Sequence, residues 1–292
     1  MLPRAGASAP STEELHRSAE AIFTGPFAAT RATLDYAWHG HYTPARQAVQ
    51  DAIIAGMLLS GRASAHPWLV HTAGAMGAGK SHAVRELARA RAFPLPAFVW
   101  IDPDRVKDAL PEARALVAAD PAGAGTRAHK ESVLIAEIAE AEALARGKSV
   151  LVDGSLRDAE WYAKKFVRLR ADHPRYRFAI VHVTAAPAAV YARAAARARA
   201  TGRTVPRDVL DDALARVPAS VRALSPLVDY TVTLCNDGAL SVEPPETLAS
   251  LRAAFGGLSA ELGLDALTDA AHDEALAAAL RAAAGTPKPA AA

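Results

Sequence analysis

Two groups of residues could do chemistry, and the first is a loop. Gly74-Ala75-Met76-Gly77-Ala78-Gly79-Lys80-Ser81 fits G-x-x-x-x-G-K-[ST], the spacing of a segment that cradles phosphate groups. Such a loop turns backbone N–H groups inward toward phosphate oxygens, and a Cβ at positive φ would obstruct that path, which accounts for glycine at 74, 77 and 79. Lys80 would reach the β- and γ-phosphates of a nucleotide, and Ser81 would hold Mg²⁺ through its hydroxyl. The apolar run Trp68 to Val70 precedes the loop and the helix-forming stretch His82 to Arg91 follows it. Strand, loop and helix therefore come in the required order, and the helix N-terminus adds a favourable dipole for an anion. A Gly/Ala-rich turn in an Ala-rich chain is the bland alternative, and the Lys-Ser pair argues against it.

The second group is polar residues set just past apolar runs. Asp102 and Asp104 follow Ala97 to Ile101, and Asp153, Ser155 and Arg157 follow Ser149 to Val152. A carboxylate one or two residues beyond a strand and facing a γ-phosphate can accept the proton of an attacking hydroxyl. The same positions also suit helix N-caps, and Asp153 could instead hold a metal through water. Spacing does not apportion these roles. Arg197, on the helix after the fourth strand, and Arg203, in the tight loop Thr201 to Pro206, are candidates for neutralising charge during phosphoryl transfer; a solvated face is the alternative in so Arg-rich a chain. Glu137 flanks the apolar stripe of its helix and points either into a cleft or, like Glu140 and Glu142 nearby, to solvent. The histidines, His129 included, lack paired metal-ligand spacing, so no zinc site is expected.

The elements that must position these groups alternate. Strands are expected at Trp68 to Val70, Ala97 to Ile101, Ser149 to Val152, Phe178 to Val183 and Tyr230 to Cys235, with helices between them. Near-continuous apolar strands separated by helices indicate a parallel sheet covered on both faces, with ligands bound beyond the strands' carboxyl ends. The expectation is an α/β three-layer sandwich of the P-loop NTPase, kinase type, with a five-stranded, mainly parallel sheet and an N-terminal helical extension. Residues 1–65 would form that extension, 66–240 the kinase domain and 241–292 a set of short helices with a disordered Pro/Ala tail. In the extension, Ser11 and Glu14 read as a capping box opening a helix toward Ile22, and a second helix runs from Pro44 to Leu59.

Composition bounds the rest. Of 292 residues, 51% are hydrophobic and 22% charged, as in a folded globular chain. A formal net charge of +2 gives no global basic field for nucleic acid or a membrane surface, and the single cysteine, Cys235, excludes an internal disulfide. No signal-peptide core or membrane-length apolar run is evident, so a cytoplasmic location is expected.

Taken together these stretches resemble the zeta toxin family of P-loop kinases, from about Tyr42 to Asn236. The likeness rests on Tyr42-Thr43-Pro44-Ala45-Arg46, the phosphate loop, Ile101-Asp102-Pro103-Asp104, the helix bearing Glu137, Asp153-Gly154-Ser155-Leu156-Arg157, and Gly202-Arg203 before Pro206. The resemblance implies an ATP- (or GTP-) and Mg²⁺-dependent kinase acting on the 3′-hydroxyl of the sugar in UDP-N-acetylglucosamine. It places the general base on Asp104, the nucleotide and metal contacts on Lys80 and Ser81, and the lid arginines on Arg197 and Arg203. The acceptor-binding residues it implies are Glu137, Asp153, Ser155 and Arg157, with Asp102 beside them and Asp153 also a metal candidate. Toxins of the family are held inactive by a small helical antitoxin that covers the nucleotide site, so such a partner is implied too. Two departures fall in the acceptor pocket: Asp153 stands where the bacterial toxins carry Glu, and Ser155 where they carry Thr. Relatives of the fold phosphorylate other hydroxyls, among them the adenosine ribose of NAD.

Two further readings compete. A nucleic-acid end kinase of the same superfamily would want a basic groove with aromatic stacking residues, against which the near-neutral charge and 6% aromatic content argue. A nucleotide-binding switch that hydrolyses little would need no base, so Asp104 would be dispensable to it.

Overall fold

The structure is a computed structural model, and it describes residues 10–263 except residue 203. Among the described residues three helices precede the sheet: α1 (Thr12–His16), α2 (Ala28–Arg31) and α3 (Pro44–Leu58). The chain then runs through β1 (Trp68–Ala73), α4 (Lys80–Arg89), β2 (Phe98–Ile101), α5 (Pro103–Ala109), α6 (Ala113–Ala119), α7 (Ala124–Arg127), α8 (His129–Ala145) and β3 (Ser149–Val152). It continues with α9 (Ala159–Asp172), β4 (Arg177–Thr184), α10 (Pro187–Thr201), α11 (Arg207–Leu224), β5 (Tyr230–Asp237), β6 (Ala239–Val242) and α12 (Leu248–Leu262).

The strand order is β2-β3-β1-β4-β5-β6. The first five are parallel, and β6 pairs antiparallel with β5. Alternate residues feed two separate cores. Leu69, Val99, Ile101, Val150, Val152, Phe178 and Ile180 join one, while Val70, Phe98, Trp100, Leu151, Ala179 and Val181 join the other. Both faces are thus covered, which is why the central strands read as unbroken apolar runs. The chain moves outward from β1 to β2 and then returns by way of β3 to β4, on the other side of β1. This reversal opens a crevice beyond the carboxyl end of β1, where the phosphate loop lies.

The sheet has six strands rather than the expected five, and the segment beyond Asn236 begins with a hairpin rather than a short helix. Asp237 and Ala239 are register partners, and Gly238 turns the chain between them at φ +98°. Asp-Gly is the residue pair that such a reversal favours. A 15-residue helix, α12, follows, and the residues expected to form the tail lie outside those described.

The first helix is also shorter than expected. Its capping box is present, with Ser11 and Glu14 bonding reciprocally, but the helix stops at His16. Arg17 turns extended and bridges to Tyr42, and the Ser18 N–H donates to the His41 carbonyl at 2.8 Å, so strand-like pairing displaces the helical bonds.

Helix α3 starts as its sequence dictates, with the Thr43 hydroxyl accepting from the Arg46 N–H and Pro44 in the first turn. It packs along α8 and inserts Arg46 between two carboxylates. The Arg46 side chain is 2% exposed and reaches Glu131 at 2.6 Å and Glu112 at 2.9 Å, while Gln50 donates to the same Glu131 at 2.8 Å. On the opposite face α12 buries Phe255 against Trp68 and Phe93, at ring separations of 4.7 and 4.9 Å. Among the described residues no helix is long and apolar enough to cross a membrane.

Candidate active site

The phosphate loop leaves β1 and winds directly into α4. Gly77 sits at φ +92°, and a Cβ there would lie 2.6 Å from the carbonyl oxygen of Val190 on α10. Gly79, at φ +90°, is the left-handed residue from which α4 starts, and a Cβ on it would lie 2.2 Å from the Asn236 side-chain nitrogen. Backbone conformation and neighbouring atoms both demand glycine at these two positions. The loop is held from behind, since the Ala78 carbonyl accepts from the Asn236 side chain at 2.8 Å and from Arg193 at 3.4 Å. Ala75 and Ala78 are buried, Met76 packs partly buried against the core, and the Gly74 N–H donates to the Ser155 carbonyl at 3.2 Å. The Lys80 ammonium folds over the loop, 3.1 Å from the Gly74 carbonyl and 3.4 Å from that of Ala75.

Register brings the strand-end carboxylates beside this loop. Asp153 continues β3 past Val152 and donates its N–H to the Ile101 carbonyl at 2.8 Å. Its side chain accepts from the Ser81 hydroxyl at 2.7 Å and from the Thr72 hydroxyl at 2.8 Å, and the residue is buried. Asp102 caps α5 by accepting from the Asp104 and Arg105 N–H groups. Burial, and then the charges of Asp153 and Asp104, push its carboxyl up to about 6, against the opposing pull of those two N–H groups.

Asp104, in the first turn of α5, lies between two cations. Lys107 approaches one carboxylate oxygen at 3.2 Å, and Arg197, reaching across from α10, approaches the other at 3.2 Å. His129, the first residue of α8, is in the field of the same group. Burial and the Lys107 charge lower its basicity, and Asp104 opposes them.

The oxygen set formed by the Ser81 hydroxyl and Asp153, with Asp102 crowded close by, fits a hard divalent cation. Among the described residues no group of three or more His, Cys, Asp or Glu is arranged to hold an ion. Mg²⁺ suits such a place, because it keeps several waters and takes much of its coordination from substrate phosphates.

The remaining candidates differ in their placement. Glu137 projects from α8 to His39, with 2.8 Å between Oε2 and Nε2. Arg157 pairs with Asp212 on α11 at 3.1 Å, both of them well exposed. Ser155 contributes its carbonyl to Gly74, and Arg203 lies outside the described residues. The structure thus gathers Gly74 to Ser81, Asp102, Asp104, Asp153 and Arg197 into one cleft. It leaves Glu137 and Arg157 without direct contact to that set.

A zeta toxin family model matches residues 58–238. The chain belongs to the zeta toxin family. No curated protein matches the sequence. Among solved structures, one from work on the PezAT chromosomal toxin-antitoxin system of Streptococcus pneumoniae aligns with a TM-score of 0.57 at 15% identity, covering 84% of this chain and 97% of that one. The AvrRxo1-ORF1:AvrRxo1-ORF2 complex with sulphate ions aligns with the same score and identity over 94% of each chain. A further AvrRxo1-ORF1:-ORF2 structure, with ATP, gives 0.54 at 14% identity over 94% of each. At these identities the likeness is one of fold: a mainly parallel sheet covered by helices on both faces.

Several residues that contact the candidates escape a reading of sequence. Lys107 is three residues from Asp104 on one helical face, a spacing that could have been noticed. Thr72, Arg193, Asn236 and His39 reach their partners only through sheet register or long-range packing.

Proposed function

We propose that this protein transfers the γ-phosphoryl group of ATP to a sugar hydroxyl of a small-molecule acceptor, with UDP-N-acetylglucosamine or a related nucleotide sugar as the first candidate. The observation that carries this reading is Asp104, a carboxylate bracketed by Lys107 and Arg197 just past β2, close to Asp102 and through it to Asp153, which meets the phosphate-loop Ser81. A carboxylate so placed can accept the proton of an attacking hydroxyl. The family membership supports phosphotransfer, and the ATP in one AvrRxo1 complex supports ATP as donor.

In the proposed reaction the inward N–H groups of residues 74 to 79 and the Lys80 ammonium bind the polyphosphate. Ser81 and Asp153 would hold Mg²⁺, which when bound screens the phosphate charges from the carboxylates of the cleft. The acceptor hydroxyl attacks the γ-phosphorus, the bond to the β–γ bridging oxygen breaks, and the hydroxyl proton passes to Asp104. Arg197, released from Asp104, is then placed to neutralise charge on the transferred group. A small helical antitoxin closing the nucleotide site is a reasonable partner, since the PezAT system is a toxin-antitoxin pair.

The test is mass spectrometry of products formed with ATP, Mg²⁺ and a panel comprising UDP-N-acetylglucosamine, related nucleotide sugars, NAD and a 5′-hydroxyl oligonucleotide. One acceptor should gain one phosphate. Asp104→Asn should lower that rate by about 10²-fold or more while nucleotide affinity persists, whereas Lys80→Ala should weaken binding and transfer together. Undiminished transfer by Asp104→Asn would remove Asp104 from the role of base.

A further inference from the structure

Glu137 is held by a residue of the N-terminal segment, 98 positions earlier in the chain. The His39 side chain is 2% exposed, whereas that of Glu137 is 28% exposed. A buried ring therefore grips a carboxylate that solvent can reach. A mere packing staple would bury both partners.

The ring is fixed from several sides. The N–H groups of Trp38 and His39 donate to the Asp35 carbonyl at 3.2 and 2.9 Å, and the Ala37 N–H donates to the Asp35 side chain at 2.9 Å. The rings of Trp38 and Tyr36 meet the imidazole edge-on, with centroids 4.6 and 6.4 Å away. The second ring nitrogen, Nδ1, is buried and has no hydrogen-bond partner among the described residues.

That unpartnered nitrogen selects a tautomer. An N–H at Nδ1 would be buried without an acceptor, at the cost of its lost hydration, whereas a lone pair there costs less. The proton therefore sits on Nε2, which donates to Glu137 Oε2. Glu137 has one oxygen fixed as an acceptor, and its other oxygen has no hydrogen-bond partner among the described residues. Its charge is felt by Tyr162, which borders the turn after β3: the Tyr162 hydroxyl would be 3.7 Å from a Cβ placed on Gly154. Tyr162 thus lies near both Glu137 and the Gly154 turn that follows Asp153.

We infer that His39 is a positioning residue. It orients Glu137 so that the carboxylate's free oxygen accepts a hydrogen bond from a hydroxyl of a polyhydroxylated acceptor. The inference rests on the sugar-acceptor reading above, and it gives the N-terminal segment a part in acceptor recognition.

The experiment uses the full chain, saturating ATP and Mg²⁺, and whichever member of the acceptor panel is phosphorylated. His39→Ala should raise the KM for that acceptor about tenfold or more, with kcat altered little and the KM for ATP unchanged. His39→Gln, whose side-chain amide can donate to Glu137, should recover much of the loss; it also serves should the alanine variant fold poorly, and a melting curve reports on that. In a Glu137→Gln background, His39→Ala should add almost nothing, because two residues acting through one contact are not additive. An unchanged acceptor KM in both His39 variants, or full additivity with Glu137→Gln, overturns the inference while phosphoryl transfer stands. If no acceptor gains phosphate, the kinase reading fails and the inference falls with it.

Discussion

At the scale of single residues, Asp102 is a strand-end carboxylate whose environment opposes its charge. Its carboxyl stands at about 6, above its ordinary value of 3.8, so the folded state binds protons that the unfolded chain has released. The associated stability is complete below about pH 4 and is lost as the pH rises through about 6. A shift of about two units corresponds to at most roughly 3 kcal/mol. Asp102→Asn keeps an effective cap for α5 and removes the charge. Without nucleotide, this variant should melt above the wild type at pH 8 and level with it near pH 4. Equal melting temperatures at both pH values would show that the crowding with Asp153 and Asp104 is relieved in some other way.

At the scale of elements, the helical segment before β1 is joined to the domain by a buried ion network rather than by apolar packing alone. Arg46, 2% exposed, serves Glu131, 0% exposed, and Glu112 at once. Replacing it with leucine strands a carboxylate in a site without solvent and should cost ~3–5 kcal/mol by denaturant unfolding, whereas the double replacement Arg46→Leu, Glu131→Leu should cost much less. A loss below about 1 kcal/mol in the single variant would mean that Glu131 finds another partner or takes up a proton. This network also marks the limit of what the sequence discloses. The loop Gly74 to Ser81 and the positions of Asp102, Asp104 and Asp153 are legible because their signals are local: a motif, or a carboxylate closing an apolar run. Hairpin β5–β6 was legible in principle through Asp237-Gly238 but is outweighed by the Pro/Gly-rich sequence after it. Contacts such as Arg46 with Glu131, His39 with Glu137 and Thr72 with Asp153 depend on register and on helix pairing across tens of residues, and no local spacing encodes them.

At the scale of the whole molecule, stability is unevenly distributed. The sheet is buried on both faces, while α10, which carries Arg193 and Arg197, has one buried residue in fifteen, Val190. Few apolar contacts mean a low free energy of local opening. Amide exchange in α10 should therefore be fast in the nucleotide-free protein and slow markedly with MgATP, as its arginines engage phosphate, while β1 and β4 stay protected throughout. Uniform protection of α10 with and without nucleotide would place the moving part elsewhere.

The grip on the Ala78 carbonyl has a consequence for the speed of binding. Asn236 at the end of β5 and Arg193 on α10 hold that carbonyl, and Gly77 and Gly79 nestle against Val190 and Asn236. These contacts hold the cradle's shape from behind, while the Lys80 ammonium must leave its two carbonyls to reach a phosphate. A side chain swings within nanoseconds, whereas a loop that had to fold around phosphate would take far longer. Binding of a polyphosphate at this loop is thus expected to need a side-chain motion at Lys80 rather than refolding of the backbone.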